Sequence, residues 1–351
     1  MEAHMNSKLV ADPDVNEALR CAEEREGQWT HKSSTIIQCR EIYNKLKEDN
    51  FVPTAENTYS LETASRIELP KLKKAANQIV AKQYLDKANE NAANTPFQGE
   101  LVSLLGQEET DISWKSVIYA VPKGVMSWSI RACTNSLATP DNLARWGKIV
   151  DPKCSMEGCT TTATLGHLLS NCQKMLDRYT HRHDSCLSVI YDTLMKDKSD
   201  DITIFADLEG CKVNGGTLPP EVALTTSRPD LVIMNKSCTP QLVILVELTM
   251  TFDRATNIEA ARQRKKARYE YLASDIESKG FVCENRPLEV GVRGYISPRN
   301  RETLFHIAHL CNVKRPRDFL KRIGKTAILG SYQIYLARKS QEWSPGGLII
   351  P

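Results

Sequence analysis

Three cysteines and one histidine stand close together in residues 154–172, and this cluster limits what the chain can fold into more than any other feature. The segment reads CSMEGCTTTATLGHLLSNC, with the four residues spaced C-x4-C-x7-H-x4-C. Zinc takes four thiolate or imidazole ligands, and short spacers on either side of a longer one allow a turn and a helix to supply two each. The alternative is a set of buried thiols beside a histidine on a helix face. We predict a structural zinc site with the ligands Cys154, Cys159, His167 and Cys172.

The second half of the cluster sets a condition on local structure. His167 and Cys172 lie five residues apart on a predicted helix, so both can reach one metal ion if the last helical turn loosens. Four protein ligands would leave no coordination position open for catalysis. The metal would then hold together a segment too small to fold by its own core.

Composition places the chain among globular proteins. Its 351 residues are 41% apolar, which is enough to bury a core, and the length suggests two or three domains. There is no apolar run of about eighteen residues and no signal-peptide pattern at the start, so we expect neither membrane association nor secretion. The 11 cysteines of an intracellular protein favour reduced thiols and a metal site over a disulfide scaffold.

Charge is distributed unevenly along the chain. Residues 251–351 hold 19 Lys and Arg against 10 Asp and Glu, which is a net charge of +9, and residues 1–250 carry −6. A basic C-terminal part beside an acidic remainder favours a polyanionic partner. The alternative interpretation is a solvated basic helix surface.

The coarse pattern predicts an α+β or α/β fold with a mostly helical N-terminal half. Apolar spacing indicates helices over residues 14–49, 69–92, 165–195, 257–272 and 299–310. The runs LVIM and LVILVELT predict two strands joined by a turn, and LEVGVRGYIS predicts another strand. TPDN, just before LARWG, predicts a helix N-cap.

The two predicted strands bring a pair of carboxylates together. If Asn235 pairs with Leu242 across the turn, Asp230 falls directly opposite Glu247 on the same face. Facing carboxylates repel each other unless a cation lies between them, and magnesium prefers such oxygen ligands. We therefore predict a magnesium site at Asp230 and Glu247. The alternative is that Asp230 starts a turn and Glu247 pairs with an arginine.

A basic helix follows the second strand. In ARQRKKARYEYL, one predicted face carries a carboxylate, two cations and a phenol: Glu259, Arg262, Lys266 and Tyr269. The spacing directs the neighbouring Arg264, Lys265 and Arg268 elsewhere. A cation and a phenol beside a metal site suit a phosphodiesterase, whereas the alternative for this run is a solvated basic face or a nuclear localisation patch.

Together these segments resemble the C-terminal region of non-LTR retrotransposon proteins that carry a restriction-like endonuclease. The similarity spans about residues 97–315 and is carried by the cysteine cluster with TLGHLLSNC, then RYTHRHDS, RPDLVI, VELT and KKARYEYL in that order. It implies a fold like that of the PD-(D/E)xK nucleases, with a zinc knuckle just upstream, and an enzyme that nicks target DNA with magnesium.

The resemblance also implies roles for single residues. Asp230 and Glu247 are similar to the metal-binding acids, and Lys266 to a catalytic lysine that has moved from the strand to the following helix. Tyr269 is similar to the residue that accompanies this lysine on the helix. Lys265 is the alternative to Lys266 as the catalytic lysine. The residues expected to contact nucleic acid are Arg182, His183, Arg228, Arg262 and Lys265.

The upstream polymerase of such elements is not expected in these residues. Its motif is an aromatic residue followed by an Asp pair, whereas the Asp200-Asp201 pair here follows Lys-Ser. The expected partners are therefore DNA and, beyond it, element RNA or a separately encoded reverse transcriptase. The expected location is the nucleus, inferred from the substrate, or the cytoplasm.

The predicted domain order combines these elements. A helical region is followed by a helical linker, a zinc knuckle, a restriction-like endonuclease domain and a C-terminal tail, over residues 1–96, 97–153, 154–172, 173–325 and 326–351. The predicted function is a retrotransposon-derived, magnesium-dependent DNA endonuclease. One alternative is a catalytically silent, zinc-dependent nucleic-acid-binding protein, and another is an unstable fragment without activity.

Overall fold

A computed structural model gives the structure of the chain. The residues it describes are 52–54, 58–60, 66–68, 81–92, 94–95, 99, 101, 104 and 114–344. The predicted helix over residues 14–49 lies outside them. The chain divides into two compact units, Met1–Ala88 and Asn89–Pro351.

The first unit contains three short strands. β1 (Val52–Thr54), β2 (Thr58–Ser60) and β3 (Arg66–Glu68) form an antiparallel sheet in the order β1-β2-β3. Residues 81–92 are helical, within the helix predicted over residues 69–92.

The second unit carries the longer helices. Two short helices and one of eleven residues precede the cysteine-histidine segment (residues 154–172), and four long ones follow it: α1 (Trp114–Ile118), α2 (Lys123–Cys133), α3 (Pro140–Arg145), α4 (Leu176–Asp197), α5 (Ala255–Ser278), α6 (Pro298–Leu310) and α7 (Pro316–Leu336). The predicted N-cap at α3 is confirmed, because the Thr139 side chain accepts a hydrogen bond from the Asn142 N–H. Among the described residues, no helix has the length and apolar character needed to cross a membrane.

A mixed sheet of four strands forms the centre of this unit. The strands β4 (Ile202–Ala206), β5 (Leu231–Asn235), β6 (Leu242–Thr251) and β7 (Val282–Gly291) lie in the order β4-β5-β6-β7. β4, β5 and β6 are antiparallel neighbours, whereas β6 and β7 are parallel. A parallel pair requires a crossover connection, which α5 supplies. Helices with a small mixed sheet make this an α+β fold, one of the two predicted classes.

The register predicted for the central hairpin is confirmed. Asn235 pairs with Leu242, and Leu231 pairs with Val246. The next position along this ladder is Asp230 opposite Glu247. The sequence did not predict β4, and β7 begins at Val282, six residues before the predicted run LEVG. The first half of β7 is polar and partly exposed, so it lacks the apolar pattern of a buried strand.

Both faces of the sheet are covered. Ile233, Ile244 and Val246 pack with buried residues of α4, α6 and α7, whereas Val243 and Leu245 pack against α5. Alternate residues of a strand point to opposite faces, so β6 supplies both cores at once. This double burial explains why LVILVELT reads as a nearly continuous apolar run.

Helices α4 and α7 pack closely around an arginine. Arg182 is 1% exposed, and its Nη1 donates to the Ser331 Oγ at 2.9 Å. A Cβ added at Gly330 would lie 2.6 Å from Cγ of Arg182. Arg182 therefore has a packing role. Its guanidinium contacts Ser331 inside the protein, and not the nucleic acid that the sequence had predicted. α7 also runs across residue 325, where the sequence placed the end of the nuclease domain.

We expect Gly330→Ala to destabilise the protein by about 1–3 kcal/mol, because the added methyl group overlaps the buried Arg182 side chain, whose far end is bound to Ser331. Gly124→Ala is the matched control. A Cβ at Gly124 meets no atom within 4 Å, so alanine should stabilise that helix by up to about 1 kcal/mol. Denaturant unfolding measures both, and a Gly330→Ala variant as stable as Gly124→Ala would contradict the packing described for Arg182.

Candidate metal centre and acid cluster

The four ligands predicted from the cysteine cluster meet in space. Their ligand atoms all lie within 4.8 Å of one another. Cys172 Sγ is 3.9 Å from Cys154 Sγ and 3.9 Å from Cys159 Sγ, and Cys159 Sγ is 3.4 Å from His167 Nε2. In a tetrahedral site, Zn–S bonds of about 2.3 Å hold two sulfurs about 3.8 Å apart. The group therefore fits one tetrahedral metal ion such as zinc.

The first two ligands come from a tight turn. The Cys154 N–H donates to the Thr161 carbonyl at 2.9 Å, and the Cys159 N–H donates to the Met156 carbonyl at 3.0 Å. Gly158 adopts a φ of +70°, a backbone conformation that glycine allows without steric cost. The turn places the thiols of Cys154 and Cys159, which four residues separate, in the same group of ligand atoms.

The last two ligands come from a widened helical turn, as predicted. Residues His167–Asn171 form a π-helix, and Cys172 follows with extended backbone. The Tyr179 hydroxyl donates to the carbonyls of His167 and Leu168 at 3.0 and 3.1 Å, and it accepts the Cys172 N–H at 3.1 Å. Tyr179 therefore satisfies backbone groups that the loosened turn leaves without helical partners.

Burial favours the neutral forms of two side chains in the cluster. Burial raises the pKa of the Cys172 thiol to about 12 and lowers the pKa of His167. Without a cation this thiol keeps its proton, and the imidazole is neutral and able to coordinate. Metal binding would displace the thiol proton, which couples metal affinity to pH.

The cysteine-histidine segment is held by residues that follow α7. The Gln341 side chain donates to the Ser155 carbonyl at 2.9 Å and accepts the Glu157 N–H at 3.1 Å. The buried Arg178 donates to the Ala337 carbonyl at 2.7 Å. The region assigned from sequence to a C-terminal tail therefore contains residues that fasten the turn between the first two cysteines to α4.

Asp230 directly precedes β5 and Glu247 lies within β6, and the structure brings the two together. The Asp230 N–H donates to Glu247 Oε2 at 3.3 Å, and the Leu248 N–H donates to Asp230 Oδ2 at 2.8 Å. Glu247 is 4% exposed. A buried carboxylate needs a compensating cation, so the groups that face Glu247 decide its chemistry.

His183 approaches the pair from α4. Its Nε2 lies 3.3 Å from Asp230 Oδ2, and its Nδ1 lies 2.9 Å from Asp184 Oδ1. Burial alone would lower the pKa of His183, but the carboxylates of Asp184 and Asp230 outweigh it and raise the pKa to about 10. The imidazolium is thus held between two carboxylates of a group that we call the acid cluster, which consists of Asp184, Asp230 and Glu247.

The lysine beside Glu247 is Lys265, whereas the sequence favoured Lys266. The Lys265 ammonium donates to Glu247 Oε1, and the Lys266 side chain is exposed. The helical spacing groups residues by face, but it does not say how the helix is rotated on the sheet. Here α5 is rotated so that Lys265 faces the acids and Lys266 faces solvent.

Tyr269 lies in the same region but is 1% exposed. Its hydroxyl donates to the Arg228 carbonyl at 3.2 Å. Burial and the Glu247 charge raise the pKa of Tyr269, so its proton stays in place at neutral pH. The described contacts give Tyr269 a packing and orienting role beside the acids.

Two arginines expected to contact nucleic acid are bound to carboxylates. Arg262 Nη2 lies 3.0 Å from Glu289 Oε2 and donates to Asn300 Oδ1 at 2.6 Å. Arg228, which is partly exposed, forms an ion pair with Asp207. Arg262 therefore ties α5 to β7 and α6, and Arg228 lies at the rim of the acid cluster.

Sequence reasoning missed three members of this region. Arg268 Nη1 lies 3.7 Å from Glu247 Oε1, although the spacing had directed it elsewhere. Glu289 and Asp207 are the carboxylates that engage the two arginines above. In the sequence, Glu289 carries a signal, because it stands in the apolar run LEVGV, where an isolated charge needs a partner.

We expect the purified protein to hold about one metal ion per chain, and Cys172→Ser to lose most of it, because serine supplies no thiolate. Loss of the ion should also lower the melting temperature, since the ion would join the two halves of the cysteine-histidine segment. Metal analysis and thermal unfolding measure the two effects. Cys238→Ser, in an exposed turn, is the matched control and should keep the metal. A Cys172→Ser variant with a full metal complement would overturn the ligand assignment.

Comparison with known proteins does not assign the chain to a family. No protein-family model matches the sequence, and no curated protein matches it.

Proposed function

We propose that the protein is a metal-dependent DNA endonuclease with a structural zinc knuckle. The observation that supports this most is the meeting of Asp230, Glu247 and Lys265 between the two central strands and α5. Two carboxylates and a lysine are the groups with which restriction-like nucleases hydrolyse a phosphodiester, as the motif resemblance implies. The net charge of +9 over residues 251–351, which include α5, favours a polyanionic substrate.

The two metal sites would have different roles. Three thiolates and an imidazole form a soft donor set, which favours zinc, and four protein ligands make the knuckle structural. Asp230 and Glu247 offer the hard oxygen donors that magnesium prefers. A divalent cation held there would activate water and stabilise the charge that develops on the phosphate.

The chain's own residues position the reacting groups. The Leu248 N–H and His183 hold Asp230 Oδ2, so that carboxylate has a fixed orientation. Lys265 is 19% exposed and brings a positive charge beside Glu247, where a phosphate oxygen can approach. The Tyr269 hydroxyl donates to the Arg228 carbonyl and so fixes the backbone two residues before Asp230.

A second candidate is a zinc-dependent nucleic-acid-binding protein whose acid cluster is silent. It is favoured by the contacts of Glu247, because Lys265 and Arg268 already neutralise its Oε1. Such a protein would bind DNA through Lys and Arg contacts with phosphate, with a strong dependence on salt.

We expect the purified protein to nick supercoiled plasmid in magnesium, and Asp230→Asn to lower the nicking rate by at least about 100-fold while DNA binding stays within about twofold. Asparagine keeps the shape of the side chain but removes its charge. EDTA should abolish nicking, and Asp275→Asn, near the far end of α5, serves as the control. Folded protein with bound zinc that binds plasmid without nicking it would replace the nuclease with the silent binding protein.

A second prediction separates the two adjacent lysines. Lys265→Ala should lower the nicking rate by about 100-fold or more, because it removes the ammonium next to Glu247. Lys266→Ala removes the same charge from the exposed side of the helix, so its rate should stay within about threefold of wild type. Single-turnover nicking assays compare them, and the reverse ranking would mean that the sequence-predicted Lys266 is the catalytic lysine.

A further inference from the structure

Helix α5 presents a row of three cations toward the face of the sheet that carries the acids. Arg262, Lys265 and Arg268 are spaced three residues apart, so they lie on neighbouring turns. Their side chains are 12%, 19% and 59% exposed. The row therefore runs from the protein interior, past the pair of acids Asp230 and Glu247 (the acid pair), to solvent.

The first two members are committed to protein carboxylates. Arg262 is paired with Glu289 and with the Asn300 side chain, which fixes the position of the helix. Lys265 donates to Glu247. Neither side chain can reach far outward without breaking a contact with a nearly buried carboxylate, which would be costly.

Arg268 is placed differently. Its Nη1 is 3.7 Å from Glu247 Oε1, which is beyond hydrogen-bonding distance, and more than half of its side chain is exposed. Its guanidinium lies 5.3 Å from the centroid of the Tyr269 ring, which is itself buried. The ring supports the guanidinium at the mouth of the acid cluster while its N–H groups still face solvent.

We propose that Arg268 binds a backbone phosphate of the nucleic acid next to the bond that the acid pair faces. A planar guanidinium forms two parallel hydrogen bonds with a phosphate, and it binds more strongly there than to a carboxylate held 3.7 Å away. The inference rests on the proposed function for the identity of the bond, but the phosphate contact itself requires only DNA binding.

The chain offers a matched control on the same helix. Arg264 is also exposed and has the same charge, but no contact with the acid pair is seen for it in the part of the chain that the structure describes. Removing either arginine lowers the net charge by one. A difference between the two variants therefore reports on position rather than on total charge.

The experiment measures binding to a short DNA duplex with calcium in place of magnesium, so that cleavage does not interfere. We expect Arg268→Gln to weaken binding about tenfold and to reduce the salt slope by about one, and Arg264→Gln to change affinity less than twofold. Thermal unfolding of both variants confirms that they fold. Equal affinities for the two variants would overturn the proposal.

Placing an uncharged methylphosphonate at single positions locates the contact. Next to the nick mapped with wild-type protein, this substitution should weaken wild-type binding about tenfold and leave Arg268→Gln unaffected. The same loss in both proteins would contradict a contact at that phosphate. If wild-type protein never nicks but Arg268→Gln still binds about tenfold more weakly than Arg264→Gln, the nuclease proposal fails and the phosphate contact stands.

Discussion

The hydrogen-bonded ladder of β6 is the constraint on which the rest of this structure depends. β6 pairs with β5 on one side and with β7 on the other, and its alternate side chains enter two separate cores. A slip of one residue would exchange the two faces, so both cores select the same register. Because Glu247 lies within this strand, its position relative to Asp230 is fixed by the burial of apolar residues and not by the acids themselves.

Placing charge in such a strand is costly, and the fold offsets that cost locally. Glu247 and Glu289 are both nearly buried, and α5 supplies a cation to each. In the parallel pairing, Thr249 of β6 lies beside Glu289 of β7. Glu247 is two residues before Thr249, so Glu247 and Glu289 lie on the same face of the sheet. The crossover helix is therefore the element that makes charge on this face of the sheet tolerable, and the polar site and the fold depend on each other.

Local rules predicted what depends on local spacing. The hairpin register followed from the pattern of LVIM and LVILVELT, and the loosened turn at His167 followed from a five-residue spacing that an ideal helix does not satisfy. Lys265 and the buried Arg182 could not be predicted in this way. Their environments are set by how α5 rotates on the sheet and how α7 packs on α4, and arginine is rarely buried so completely. Tertiary packing decides such positions, and one sequence shows only the periodicity.

The attachment of the cysteine-histidine segment to Gln341 has a consequence for the order of synthesis. Glu157 and Gln341 are joined by a hydrogen bond across 184 residues of chain. At usual translation rates of about 5–20 residues per second, the residue that fastens the turn follows it by roughly 10–40 s. During that interval the cysteines have left the ribosome without the segment that secures them. The ligands of the metal ion are therefore complete before Gln341 is made, and the turn is fastened only once Gln341 has followed them.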